Sequence, residues 1–209
     1  NNTAVGFDAL QGASGSSTGE NNVAVGVDAL TATTTGGNNV AVGALVLDAN
    51  TTGSGNAALG YAALSSNTTA TGNTGLGYFA LVSNTTGASN TSVGANALDA
   101  NTTGTANTGI GVDALSNNTT GSANTAIGEG ALESNTTASD NVAIGRNALE
   151  GNTTGTRNSG LGRQALYVCT TGSENTAGGY QSLYDLTTGS HNTGFGDSSG
   201  ADITSGTGN

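Results

Sequence analysis

The sequence has few of the residues from which most functional sites are built. Its 209 residues include one His, one Cys and three Arg, with no Lys, Pro, Trp or Met. Most nucleophile, general-base and metal-ligand sets cannot be assembled from this supply, so we expect no enzyme, no cofactor and no metal site. A net charge of −11 with only Arg146, Arg157 and Arg163 as cations argues against nucleic acid and anionic membranes as partners.

Hydrophobic residues are also scarce, and they form no long run. Leu, Ile, Val and Phe together contribute 35 residues, a proportion typical of disordered chains. No apolar stretch approaches the ~18 residues that a membrane-spanning helix needs. Composition alone therefore leaves the chain unclassified, and the order of the residues has to decide.

Gly, Thr and Asn are abundant, and they recur in a regular repeat with the consensus N-T-A-V-G-x-x-A-L-x-x-N-T-T-G-x-x. We take the Gly that closes each N-T-A-V-G-like unit as position 0. The first interval between these glycines is 20 residues and the other ten are 17, the extra three falling in a Gly12–Gly19 stretch that predicts a polar loop. Residues 1–209 are therefore predicted to form a single array of twelve copies. Position 0 is occupied by Gly6, Gly26, Gly43, Gly60, Gly77, Gly94, Gly111, Gly128, Gly145, Gly162, Gly179 and Gly196.

The composition of the repeat favours strands and turns over helix. Gly and Thr are weak helix formers and Asn prefers caps and turns. We therefore predict an all-β fold, a β-roll or β-solenoid of about twelve 17-residue coils, each with two short extended segments joined by turns. Coils that stack at ~4.8 Å would form a rod about 55–60 Å long.

Position −4 is Asn in every copy, which predicts a structural ladder. Side-chain amides at equal spacing can donate and accept along the rod while capping a turn. The predicted ladder consists of Asn2, Asn22, Asn39, Asn56, Asn73, Asn90, Asn107, Asn124, Asn141, Asn158, Asn175 and Asn192.

The apolar columns predict an oligomer. Position −1 is apolar in most copies, while position −2 is always Ala, Gly or Ser. Since neighbours in a strand face opposite ways, we expect position −1 to fill the coil and position −2 to pack against another backbone. Leu at +4 usually follows Ala at +3, and two adjacent apolar columns cannot both enter a narrow coil of strands. We therefore expect a homo-oligomer, with a side-by-side homotrimer favoured.

Position +7 leaves two interpretations open. Seven copies have Asn there within N-T-T triplets, which are also glycosylation sequons. The last three copies have Cys169, Leu186 and Ile203, and this apolar replacement favours an inward, buried second ladder. Cys169 is then a core residue and not a nucleophile.

Positions +1 and +2 vary most and are expected to be exposed. Tyr61, Tyr78 and Phe79 are predicted to form an aromatic cluster on adjacent coils, which either recognises a sugar or protein partner or shields a coil edge. The acidic residues are scattered without the spacing of a calcium loop, and we expect them to keep the rod in solution.

The repeat resembles a known family. N-T-A-V-G and N-V-A-I-G, at 2–6 and 141–145, resemble the signature of YadA-like head repeats in trimeric autotransporter adhesins. The longer unit is similar to repeat arrays of bacteriophage tail fibres and bacterial surface proteins. The resemblance implies a left-handed parallel β-roll of three chains, displayed outside the cell or on a virion as shaft or adhesive head. The 17-residue period departs from the adhesin heads, whose units are commonly shorter.

We therefore expect an extracellular structural or adhesive fibre module that associates with itself and has a host glycan or protein as a further partner. An ice-binding or surface-binding solenoid is the alternative, suggested by the paired threonines at +8 and +9, although adjacent threonines supply only one row each. A glycan-degrading enzyme is disfavoured because acids rarely align on neighbouring coils. Asn209 falls in the ladder register, which leaves open a piece of a longer protein or end-to-end docking into a filament.

Overall fold

The chain folds into one parallel sheet of short strands stacked in chain order. The computed structural model describes residues 1–12 and 18–209, so most of the expected polar loop between Gly12 and Gly19 lies outside the described residues. Within the described residues, twelve strands of three residues pair consecutively and form a solenoid of about eleven turns, which confirms the all-β solenoid prediction. The strands are β1 Thr3–Val5, β2 Val23–Val25, β3 Val40–Val42, β4 Ala57–Leu59, β5 Thr74–Leu76, β6 Thr91–Val93, β7 Thr108–Ile110, β8 Thr125–Ile127, β9 Val142–Ile144, β10 Ser159–Leu161, β11 Thr176–Gly178 and β12 Thr193–Phe195.

The pairing register follows the repeat. Each residue of a strand pairs with the residue one repeat further on, as Thr108 pairs with Thr125 and Ile110 with Ile127. Each coil therefore stacks on the next with the same repeat positions aligned. Every position of the repeat becomes a column parallel to the rod axis.

Each coil contains one extended segment, so the prediction of two was wrong. The residues after position 0 form consecutive turns in which positions +2 and +4 are left-handed, with φ of 56° at Asp113 and 55° at Leu115. The Asn118 N–H donates to the Leu115 carbonyl at 3.1 Å and closes one such turn. The Leu115 N–H instead donates to the Ala131 carbonyl of the next coil at 3.0 Å. The turns are thus held in register by bonds between coils, much as the strands are.

Position 0 requires glycine for two reasons. Gly111 has φ of 134°, a conformation that other residues rarely adopt. A Cβ atom there would also lie 2.6 Å from the backbone carbonyl of Gly128 in the next coil. The backbones at this corner therefore stack too closely for any side chain.

The interior is filled from positions −2, +3 and +4, which reverses the predicted facing of the strand. Ala126 at −2, Ala131 at +3 and Leu132 at +4 are each fully buried. A Cβ on Gly109 would lie 3.3 Å from the Leu98 side chain, so the small residues at −2 leave room for the chain's own leucines. Sister chains are not needed to explain either the small column or the paired Ala-Leu columns.

The apolar residues at −1 point outward, contrary to the prediction. Eight of them are exposed, from 36% at Ile110 and Ile127 to 67% at Phe195, whereas Val25, Val42 and Val93 are half-buried. Because −2 faces inward, the pleat turns −1 to the other side of the strand. We call this column, Val5 to Phe195 at position −1, the outer apolar face.

Candidate functional surfaces

The asparagines at −4 line up in one column, which is buried from Asn22 onward, and their side chains form hydrogen bonds with backbone groups. The Asn124 N–H donates to Oδ1 of Asn107 one coil earlier at 3.0 Å, while its own Nδ2 donates to the Ala138 carbonyl at 2.8 Å. The same pattern recurs along the ladder, from the Asn22 N–H bond to Asn2 at 2.9 Å to the Asn192 N–H bond to Asn175 at 3.0 Å. The amides thus satisfy buried groups at the entrance to each strand. Bonds from one side-chain amide to the next, which the sequence suggested, occur only in some copies.

The asparagines at +7 form a second buried ladder, in the inward position that the sequence favoured. Nδ2 of Asn118 donates to Oδ1 of Asn101 at 2.9 Å and to the Gly121 carbonyl at 3.0 Å. Nδ2 of Asn107, in the first ladder, donates to the same Gly121 carbonyl at 2.8 Å. Both ladders therefore meet on one carbonyl at position +10. Full burial leaves these sequon asparagines inaccessible in the folded chain.

The second ladder ends at unpaired atoms. Among the described residues, the buried Oδ1 of Asn152 and the buried Oγ1 of Thr33 have no hydrogen-bond partner. They occupy the two ends of the Asn run, since Thr33 precedes Asn50 in the column and Cys169 follows Asn152. Burial raises the pKa of the Cys169 thiol to about 11, so it stays protonated at neutral pH and is a core residue.

The threonines at +8 and +9 differ in role. At +8 the hydroxyl is half-buried and donates to the carbonyl of the next coil, as in the 3.0 Å bond from Thr102 Oγ1 to Thr119. At +9 the side chain is exposed, as at Thr103 and Thr120. Each pair therefore supplies one outward row, as the sequence indicated.

The three aromatic residues singled out from the sequence lie together. The rings of Tyr61 and Tyr78 stack with centroids 5.7 Å apart, and Phe79 lies 4.2 Å from the Tyr78 centroid. The adjacent coils have Ala44 and Ala95 at the same position, so the column supplies no side chain to cover the outer faces of the stack. The geometry fits either of the two roles considered for this cluster, recognition or shielding of an edge.

A second aromatic pair was missed. Tyr167 and Tyr184, both at +5, stack with centroids 5.1 Å apart. The Tyr167 hydroxyl donates to Glu150 at 3.4 Å, and the negative charge of Glu150 raises the pKa of that hydroxyl. Both tyrosines occupy position +5 of consecutive repeats, so the sequence alone could have predicted that they lie on adjacent coils.

Charged side chains pair along the outside of the last coils. Arg146 lies 3.4 Å from Glu129 on the coil before it, and Glu174 bridges Arg157 and His191. These groups are exposed, so such pairs contribute little to stability.

The described residues contain neither a cavity nor a group of three or more metal-ligating side chains. Over the same residues, no helix combines the length and apolarity that a membrane span requires.

Comparison with known proteins adds no relative. No protein-family model matches the chain, and neither a curated protein nor a solved structure matches it significantly.

Proposed function

We propose that this chain is a non-catalytic structural rod that binds side by side to copies of itself, as a shaft or head module of an extracellular fibre. The observation that carries the proposal is the outer apolar face, which leaves Val, Leu, Ile or Phe outward on almost every coil. Large apolar side chains in a column that only Gly178 interrupts are costly in water, and association would remove that cost.

The size of the face supports association. Its side chains alone offer roughly 700 Å² of apolar surface, more than the roughly 300–600 Å² of the largest patch on a typical monomer. This area is close to the ~800 Å² per partner that a standard protein interface buries. A second copy is the natural occupant, because a column with a regular spacing is matched along its length by the same column.

The charge pattern beside the face favours parallel copies. Position +1 is apolar or aromatic in the first seven copies, as at Val27 and Val112, and charged in the next three, Glu129, Arg146 and Arg163. An antiparallel pair would place these charges against apolar side chains and remove their water. A parallel, in-register pair keeps the apolar coils together and brings Glu129 of one copy near Arg146 of the other, one coil away, and the resemblance to trimeric adhesin heads favours three chains.

Adhesion is the second part of the proposal. The cluster of Tyr61, Tyr78 and Phe79 would supply recognition of a host glycan or protein from the margin of the outer apolar face, since its two tyrosines are about half exposed. Display on a cell surface or virion follows from the same resemblance.

Sedimentation equilibrium of the wild type and two variants tests the association. The wild type is expected to have three times the chain mass of 19.9 kDa at micromolar concentration. Ile127→Asp places carboxylates together at the centre of the interface and is expected to give monomers. Thr103→Asp, on an exposed column elsewhere on the coil, should leave the trimer intact. A monomeric wild type would refute the proposal.

A further inference from the structure

The exposed threonines at +9 are unusually uniform. Ten consecutive copies have Thr there, whereas the exposed position +1 varies freely between residues such as Tyr61, Glu129 and Arg146. The twelve copies can be compared with one another, because a position that no structural or functional requirement constrains is free to differ between copies. The uniform column at +9 consists of Thr35, Thr52, Thr69, Thr86, Thr103, Thr120, Thr137, Thr154, Thr171 and Thr188.

The fold itself does not explain this uniformity. Other uniform columns are explained by contacts within the chain. The amides at −4 are buried, and the threonines at +8 form hydrogen bonds with the next coil. Across the described residues, no threonine hydroxyl at +9 bonds another group of the chain. These hydroxyls are therefore available to solvent or to a binding partner.

A second row of hydroxyls lies beside the first. Position +10 is a buried Gly or Ala, so +11 returns to the outer side of the coil, and it is Ser or Thr in eight of the ten copies. Serines there are held in place by backbone donors, as in the 3.0 Å bonds from the Thr105 N–H to Ser122 and from the Ser122 N–H to Ser139. These serines also donate to a carbonyl of their own coil, from Ser54 to Thr52 at 3.4 Å and from Ser122 to Thr120 at 3.5 Å, so their hydroxyls are held in a fixed orientation. The structure thus supplies the T-x-S/T arrangement that the paired threonines alone did not.

This surface carries no charge over six coils. From Thr35 to Ala123, positions +9 and +11 and the adjoining −5 hold only Thr, Ser, Ala, Gly and one Asn. Charged residues enter at −5 only in the last coils, from Asp140 onward. An ordinary solvent face would include lysine or glutamate, which bind their own water and extend above the surface.

From these observations we propose that the two hydroxyl rows, which we call the threonine–serine face, bind the surface of ice. Eight of the ten coils present a methyl group and two hydroxyls, neighbouring coils repeat at ~4.8 Å, and the hydrogen bonds between coils hold that spacing. Rigid hydroxyls can take the place of lattice waters, while the methyl groups favour ordered water over bulk water. Long or charged side chains would interrupt such a layer, and the face excludes them.

A polysaccharide is the less suitable occupant. Sugar rings are bound by exposed aromatic faces together with carboxylates or amides. The aromatic stacks of this chain lie in the columns at +1 and +5, away from the threonine–serine face. The face also differs from the outer apolar face at −1, so ice binding stands apart from self-association.

The test compares ice-recrystallisation inhibition by the wild type and two lysine variants with equal charge. Thr120→Lys places a long cation on the face. Asn117→Lys places the same residue on the same coil, at an exposed position outside it. Circular dichroism first establishes that both variants retain the wild-type fold. We expect micromolar wild type to slow crystal growth, Thr120→Lys to lose activity at least fivefold, and Asn117→Lys to stay within twofold of wild type.

Three results would overturn the inference. One is a wild type no more active than serum albumin at equal concentration. Another is a Thr120→Lys variant as active as wild type, or an Asn117→Lys variant as weak as Thr120→Lys. The third is retention of the chain on insoluble cellulose or chitin with no effect on ice, which would assign the face to a glycan.

Discussion

At the scale of the residue, asparagine serves this fold as an extension of the backbone. The Asn124 side chain accepts the Asn141 N–H at 3.0 Å and donates to the Ala138 carbonyl at 2.8 Å, so two buried main-chain groups are satisfied by one amide. Aspartate could not donate and leucine could do neither. A column of amides therefore tolerates few replacements except at its ends, where neighbours are already missing.

Replacing an asparagine should lower the free energy of unfolding most in the middle of the second ladder. Asn118→Leu removes three hydrogen bonds and leaves Asn101 and Asn135 short of partners. We expect a loss of about 3 kcal/mol in the free energy of unfolding, since each buried unpaired group costs ~1–3 kcal/mol. Chemical denaturation measures it.

Asn152→Leu is the matched control. Oδ1 of Asn152 is already unpaired, and Leu186 shows that leucine fits this column. We expect a loss of about 1 kcal/mol, because fewer bonds break and one unpaired oxygen disappears. Equal losses in the two variants would contradict the proposed role of ladder position.

At the scale of the element, the coil is a short strand followed by stacked turns. Leucines at +4 adopt a left-handed conformation that costs roughly 1–2 kcal/mol each. Leu98, with φ of 53°, is fully buried, and burying a leucine yields about 1.5–3 kcal/mol. The left-handed conformation is therefore affordable, because it directs the leucine side chain into the interior of the coil.

Truncating leucines on the two faces should separate core from surface. Leu98→Ala, inside the coil, is expected to cost 2–5 kcal/mol because it leaves a cavity. Leu76→Ala, on the outer apolar face and 38% exposed, should cost under ~1 kcal/mol in the isolated chain. Thermal unfolding of dilute samples, below the association range, gives both values. The reverse order would mean that −1 and not +4 faces the interior.

At the scale of the whole molecule, the rod is a one-dimensional stack. Each strand contacts only the strands before and after it. Stability in such an array is approximately a sum over coils and their junctions. Length is then adjustable in steps of one repeat, because removing a full period leaves every column continuous.

Deleting residues 91–107, one period, should preserve the fold. The junction joins Asn90 to Thr108 and restores the N-T-x-x-G unit. We expect a melting temperature within a few degrees of wild type and a rod shorter by ~4.8 Å in small-angle scattering. Deleting only 91–98 removes β6 and Leu98 and leaves nine residues that cannot complete a coil, so it should unfold at a clearly lower temperature. Equal stability of the two deletion variants would contradict the inference that the fold is built from whole repeats stacked in one dimension.

Much of the fold was predictable because the period is visible in the sequence. Asparagines spaced by 17 residues must align once coils stack, and the replacement of Asn by Cys169 or Leu186 indicated an inward column. The proximity of Tyr61, Tyr78 and Phe79 followed from the same count. The pair of Tyr167 and Tyr184 was equally countable and was overlooked.

The sequence by itself determined the repeat, the stacking register and the two amide ladders, since these depend only on which residues recur at equal spacing. Only the tertiary structure decided which side of each strand faces inward. Alternation holds within a strand, but it fails through the left-handed turns that place Ala and Leu at +3 and +4 on the same side. Those leucines occupy the interior, and the small residues at −2 make room for them. The apolar column at −1 and the second hydroxyl row at +11 are consequently left on the outside.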